Sequence, residues 1–193
     1  MINLILFGKP GSGKGTQAEF VRKSYNLVHI STGDVFRTNI AKNTDLGILA
    51  KSYMDKGELV PDDVTIKMLE EEVNKNQRSK GFIFDGFPRT TKQAEILDKF
   101  LSDQNLKISM TIALDVDEKI LIKRLLDRGK QSGRSDDQDI IKIQNRFDEY
   151  NKKTLELIDF YKAQNKFFSI DGSGTINEIT QRLFKTIDKF KND

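Results

Sequence analysis

Leu4-Ile5-Leu6-Phe7-Gly8-Lys9-Pro10-Gly11-Ser12-Gly13-Lys14-Gly15-Thr16 decides how the rest of this chain is read. An apolar run short enough for a buried strand gives way to a glycine-rich turn, and a helix is predicted from near Lys14. Gly8 and Gly13-Lys14 fit the phosphate-cradling pattern G-x-x-x-x-G-K-[ST], except that Gly15 takes the place of the hydroxyl residue. The hydroxyl follows one position later, at Thr16. Glycine suits such a loop because backbone N–H groups must approach phosphate oxygens where a Cβ would intrude. The loop amides and the positive end of the next helix attract anions, and Lys14 adds a mobile charge for the outer phosphates. The competing reading is a strand-to-helix turn with an incidental lysine. The strand in front and the helix behind favour phosphate binding.

The chain has 193 residues, the length of one globular domain with small inserted lobes. Hydrophobic residues make up 37% and charged residues 32%, enough for a core under a heavily solvated surface. With Lys+Arg 32 against Asp+Glu 29, the net charge of +3 is too balanced for a nucleic-acid or membrane surface. There is no cysteine, which excludes disulfides and Cys-based zinc sites. The N-terminus runs straight into a strand without a targeting segment, and no apolar run reaches membrane-span length. A cytoplasmic, soluble protein is expected.

Strand and helix alternate along the chain. A helix over Thr16–Ser24 turns Ala18 and Val21 inward, and Leu27–Ile30 is a short strand. His29 lies in that strand, where a packed or hydrogen-bonded side chain is a better reading than a catalyst. Ser31-Thr32-Gly33-Asp34 starts a helix to Ala41, followed by polar helix to Lys56 with Leu46, Leu49 and Met54 as apolar anchors. Gly57 ends it, and Pro61-Asp62-Asp63 opens the next helix. Gly81–Asp85 is a buried strand, Thr90–Leu101 a helix, and Met110–Asp115 the fourth strand. Asp117 caps a helix ended by Gly129, and Gly129–Asp139 reads as a polar loop. A long helix follows with Ile140, Ile143, Phe147, Tyr150, Thr154 and Ile158 on its inner face. Lys166–Ile170 is the fifth strand, and Thr175 with Glu178 forms a capping box for the last helix. The pattern predicts an α/β fold: a three-layer arrangement with a five-stranded parallel sheet between helices. Ligands in such sheets bind beyond the carboxyl ends of the strands, where Gly8–Thr16, Thr32, Asp85–Arg89 and Gly172–Gly174 all fall.

Phosphoryl transfer between anions needs cations around the equatorial oxygens of the moving group. Candidates are Lys14, Arg37, Arg89, Arg124, Arg128, Arg134 and Arg146. Arg124 and Arg128 share one helix face, which is equally consistent with a solvated basic surface near a helix C-terminus. Arg89 follows a strand directly, in a loop whose backbone Gly86 and Pro88 constrain. Asp85 could hold magnesium through water or merely cap the loop after it; the metal role is favoured.

Taken together, Gly8–Thr16, Ser31–Asp34, Asp85-Gly-Phe-Pro-Arg89, Ser132–Asp137 and Arg146 resemble the adenylate kinases, a nucleoside monophosphate kinase family, over essentially the full length. That family's loop has Gly-Thr after the lysine, which accounts for Gly15. The resemblance implies reversible transfer from ATP to AMP giving two ADP, with Mg2+ on the ATP. It implies that Gly11, Ser12, Gly13, Lys14, Gly15 and Thr16 wrap the ATP phosphates. Arg124 and Gly174 would meet the ATP base. For AMP it implies Thr32, Arg37, the Glu58, Leu59 and Val60 backbone, Gly86, Phe87, Pro88, Arg89 and Gln93. Arg128, Arg134 and Arg146 would join Arg89 and Lys14 around the reacting phosphates, with Arg128 also on the ATP side and Arg134 and Arg146 also on the AMP side.

The resemblance also divides the chain into a core (1–30, 61–127 and 139–193), an AMP-binding lobe (31–60) and a short lid (128–138) loosened by Gly129 and Gly133. Thr32 and Gln93 go with adenine in this family, whereas pyrimidine-accepting members carry Ala and Asn more often. A UMP/CMP kinase is therefore the alternative within the class. A nucleotide-hydrolysing switch or nucleic-acid remodelling module is the alternative outside it, but the chain has no N-K-x-D motif and no basic tract with interleaved aromatics. A monomer acting on ATP, AMP and ADP, without nucleic-acid or membrane partners, is expected.

Overall fold

The computed structural model describes residues 1–192. Strands β1 (Ile2–Phe7), β2 (Val28–Ser31), β3 (Gly81–Asp85), β4 (Met110–Asp115) and β5 (Phe167–Asp171) form one parallel sheet in the order β2-β3-β1-β4-β5. Helices α1 (Lys14–Tyr25), α2 (Thr32–Ala41), α3 (Asp45–Met54), α4 (Asp62–Lys75), α5 (Thr91–Asp103), α6 (Glu118–Ser132), α7 (Ile140–Glu149), α8 (Glu156–Ala163) and α9 (Ile176–Asn192) connect and cover it. The predicted α/β sheet with five parallel strands is the one observed.

Because successive side chains on a strand point to opposite faces, β1 supplies both cores. Ile5 and Phe7 face Phe82, Phe84, Leu97, Leu101, Leu157 and Tyr161 on one side. Leu4 and Leu6 face Ala18, Val21, Ile112, Leu183 and Ile187 on the other. The central strands are buried on both faces, so they read as continuous apolar runs. β5 lies at the sheet edge and is only partly covered. The register pairs Leu6 with Asp85, which sets the loops after β1 and β3 side by side.

Two satellite clusters carry the rest of the chain. Phe36, Ala50, Val60 and Met68 form the small core of the α2–α3 lobe. Leu121, Leu125, Ile143 and Phe147 join α6 to α7.

Predicted caps are present where the sequence places them. The Ser31 hydroxyl accepts from Asp34 N, and Thr175 and Glu178 exchange side chain-to-backbone bonds. Four expectations need correction. Leu49 is exposed, because the inner face of α3 is built from Gly47 and Ala50, which let it pack close against α2. Gly129 does not end α6; the helix runs on to Ser132 and stops at Gly133. A Cβ at Gly129 would come within 2.7 Å of Asp137 O, so this glycine is a close-packing position and not a loose hinge. The predicted long helix is divided, with a π-helical turn over Tyr150–Thr154 between α7 and α8. Ile140 at its start is exposed, and Leu157 and Tyr161 are the fully buried residues after the π turn.

Candidate active site

No side chain caps the start of α1, so its first N–H groups are left for another acceptor. Gly13 has φ 93°, and a Cβ there would meet nothing within 4 Å. The position opens onto the cleft, as an anion cradle requires. Lys14 opens α1 and folds back over the loop, donating to Gly8 O at 2.7 Å and Lys9 O at 3.3 Å. Burial lowers its pKa to about 8; Asp85 offsets part of this, while Arg89, Arg146 and Arg128 add to it. An ammonium held so reluctantly gains most from incoming phosphate charge.

The loop after β3 supplies Arg89. The Phe87–Pro88 peptide is cis, and the Phe87 ring is sealed in the core. Arg89 Nε donates to Gly86 O at 2.6 Å, and its backbone is held at both ends: N donates to Gln93 Oε1 at 2.7 Å, and O accepts from Thr154 Oγ1 at 3.2 Å. Among the described residues, its terminal amino groups have no hydrogen-bond or ion-pair partner. Burial first, then repulsion from Arg146, brings its pKa down to about 10, so it stays charged at neutral pH.

The other arginines are held by two adjacent carboxylates. Asp137 is fully buried; Arg128 Nε reaches its Oδ2 at 2.6 Å and Arg146 donates to its Oδ1 at 2.7 Å. Asp136 pairs with Arg134 at 3.2 Å and with Arg146 at 3.1 Å. Burial works against its charge, yet Arg146 and Arg134 hold Asp136 below the usual carboxylate range. Neither aspartate stood among the candidate site residues, although both lie in the quoted Ser132–Asp137 stretch. An acidic pair next to Arg134, between Arg128 and Arg146 in the chain, is the signal that points to them. They give the segment an electrostatic anchor where apolar ones are lacking.

Three arms of the cleft carry most of the candidate residues, and an adjoining cavity bounded by Lys14 and Tyr150 takes in Pro88. One arm is lined by Gly11, Gly13, Thr16, Arg124, Arg128 and Gly174. The middle arm gathers Lys14, Asp85, Arg89, Arg128, Arg134 and Arg146, with Gly15 in its wall. The third is lined by Thr32, Arg37, Glu58, Leu59, Val60, Gly86, Arg89, Gln93 and Arg146. The residues expected to bind nucleotides thus converge from both ends of the chain. Phe87 lines none of these arms among the described residues, because its side chain faces the core. Gln93 is nearly covered: its Nε2 donates to Asp62 Oδ1 at 2.6 Å while Oε1 accepts from Arg89 N. An amide can make four hydrogen bonds, so half its capacity remains for a base. Thr32 donates to Gly86 O at 3.1 Å, tying the lobe to the loop that bears Arg89.

A metal would find oxygen donors in the middle arm. Asp85 closes β3 beside the loop, with its Oδ2 3.8 Å from where a Gly15 Cβ would stand, and Thr16 lines the same arm. Among the described residues, no three His, Asp or Glu side chains cluster to chelate an ion. That donor set fits a hydrated magnesium delivered with a nucleotide better than a resident metal.

The family model described as adenylate kinase matches residues 6–166. An adenylate kinase of Flavobacterium psychrophilum is 62% identical over 187 residues, covering 97% of this chain and 98% of that protein. One from Flavobacterium johnsoniae is 59% identical, covering 97% and 99%. Another, from Parabacteroides distasonis, is 47% identical, covering 99% and 100%. The matched span takes in the glycine loop, the Arg89 loop and the arginine–aspartate cluster, all the parts that meet in the middle arm. This chain belongs to the adenylate kinase family.

Proposed function

We propose that the three-armed cleft carries out reversible phosphoryl transfer between ATP and AMP as follows. The first arm holds the ATP base against Arg124 and Gly174, and the Gly11–Thr16 amides hold its phosphates. The third arm takes AMP, with Thr32, Gln93 and the Glu58–Val60 backbone around its base and Arg37 and Arg89 on its phosphate. The nucleotides then meet tail to tail in the middle arm. The carrying observation is that Arg89 and Arg146 line both the middle and the third arm, where a group passing between two phosphates must travel.

No general base is needed, because the attacking phosphate oxygen is already ionised at neutral pH. The side chains position two anions and stabilise the charge that spreads over the transferring group. Lys14 leaves the Gly8 and Lys9 carbonyls to follow that group, and Arg89, Arg128, Arg134 and Arg146 surround it. Asp85, through water, and Thr16 would hold a magnesium ion arriving with ATP, which would supply positive charge to offset that of the phosphates. Closing of residues 31–60 and 128–138 over the substrates would exclude water from the transfer. No helix among the described residues is long and apolar enough to cross a membrane. In this reading the chain acts in the cytoplasm, as a monomer.

Two results follow. ADP formation assayed with ATP and each of AMP, CMP, UMP and GMP should favour AMP by about 10²-fold or more in kcat/KM; a preference for UMP or CMP would reassign the third arm. Lys14 must be charged when ATP binds, and its pKa is about 8. The kcat/KM for ATP should therefore fall as pH rises through that value, since this ratio reports the free enzyme. At saturating nucleotide the phosphates restore the ammonium, so kcat should lack the same limb. Lys14→Arg should remove the limb whatever its absolute rate, and a limb unchanged in that variant would dissociate it from Lys14.

A further inference from the structure

Lys9 is the one long side chain in the Gly8–Gly13 turn, and the scheme above gives its charge no task. Its ammonium pairs with Glu118 Oε1 in the first turn of α6 and lies 5.9 Å over the Phe147 ring of α7. Its carbonyl accepts from Ser12 N at 3.1 Å and from Lys14 Nζ at 3.3 Å. Among the described residues, no other side chain between Gly8 and Gly13 makes a hydrogen bond or ion pair; the Ser12 hydroxyl is buried without a partner. The turn backbone packs at Gly11 on Leu121 and Leu125 of α6 and at Gly8 on Leu114; Lys9 adds a side-chain tie to both α6 and α7.

We propose that Lys9 is a positioning residue for the triphosphate. Its anchors on Glu118 and Phe147 set the Gly8–Lys9 arm of the loop, and through those carbonyls the Lys14 ammonium. The reference frame is the helix pair α6–α7, which carries Arg124, Arg128 and Arg146. Lys9 thereby adds to the Gly11–α6 packing a polar register between the phosphate loop and the arginines that must act with it. The ion pair itself adds little stability, because Glu118 is half exposed. Its consequence is geometric: Lys9 lines none of the three arms, so it acts on nucleotide only through the glycine loop, which the scheme above gives to ATP.

The inference rests on the nucleotide assignment above, so the unsubstituted chain is measured alongside Lys9→Met, Lys9→Arg, Glu118→Ala and the Lys9→Met/Glu118→Ala pair. The measurements are steady-state kinetics in both substrates and thermal unfolding. Lys9→Met should raise KM for ATP about fivefold, leave KM for AMP within about twofold and barely move Tm. Lys9→Arg should restore the parent value. In the Glu118→Ala background Lys9→Met should change KM for ATP by less than about twofold, because the residues act as a unit. A lysine acting directly on phosphate would have the larger effect once freed from Glu118. That outcome, an equal rise in KM for AMP, or no change in KM for ATP would each overturn the proposal. A parent chain that forms no ADP would instead sink the nucleotide assignment and this inference with it.

Discussion

Arg89→Ala should lower kcat by about 10³-fold while Tm stays level or rises. The guanidinium has no carboxylate partner among the described residues, and burial with Arg146 nearby already depresses its pKa. A charge held unpaired in a covered cleft is a cost to the fold and an asset only when phosphate arrives. Removing one preorganised cation from a site that stabilises developing charge costs about 4 kcal/mol in the barrier, which is the stated fold-change. The fold should tolerate the loss, because Gly86 O still accepts from Thr32 Oγ1. Arg89→Lys should recover only part of the rate, since a point charge cannot reproduce a planar fork. Turnover near that of the parent, with ADP formation and Tm followed together, would remove Arg89 from the site.

Asp137→Asn should cost both stability and rate. Asp137 is fully buried and receives Arg128, Arg146 and, at 3.4 Å, Arg134. Deleting its charge leaves Arg134 and Arg146 sharing Asp136, and Arg128 without a carboxylate among the described residues. Breaking a buried pair typically destabilises by about 3–5 kcal/mol. Here Arg128 is partly open to solvent, so about 2–3 kcal/mol is the expected loss. Released from their common acceptor, the arginines lose their aim, and kcat should fall by about 10²-fold. Calorimetry and single-turnover kinetics read the two effects separately. A variant with parent Tm and parent kcat would mean that the arginines hold their places without Asp137.

The contrast between these residues marks what was legible in the sequence. The glycine loop, the β3–Arg89 junction and the Thr175–Glu178 cap are local patterns whose physics is complete within a few residues. Asp137 is different, because its role depends on Arg128, Arg134 and Arg146 converging from α6, the segment after it and α7. Gly129 was misread for a related reason. As a chain symbol it looks like a helix stop, whereas its actual constraint is the Asp137 backbone packed against it. Leu49 and Ile140 fit helical periodicity but fall outside the packed faces, which are set by how closely α2 meets α3 and where the α6–α7 cluster begins. Periodicity locates elements; the partner across the interface decides which side chains are covered.

The account stands on two nucleotides meeting end to end across Lys14 and the arginine cluster. Two adenosines joined through five phosphates would span all three arms at once, and titration calorimetry measures both how many such molecules bind and how tightly. The predicted result is one molecule per chain, bound at least about 10²-fold more tightly than ATP or AMP alone, because both halves are captured for a single loss of freedom. Two molecules per chain, or an affinity no better than that of ATP, would contradict it.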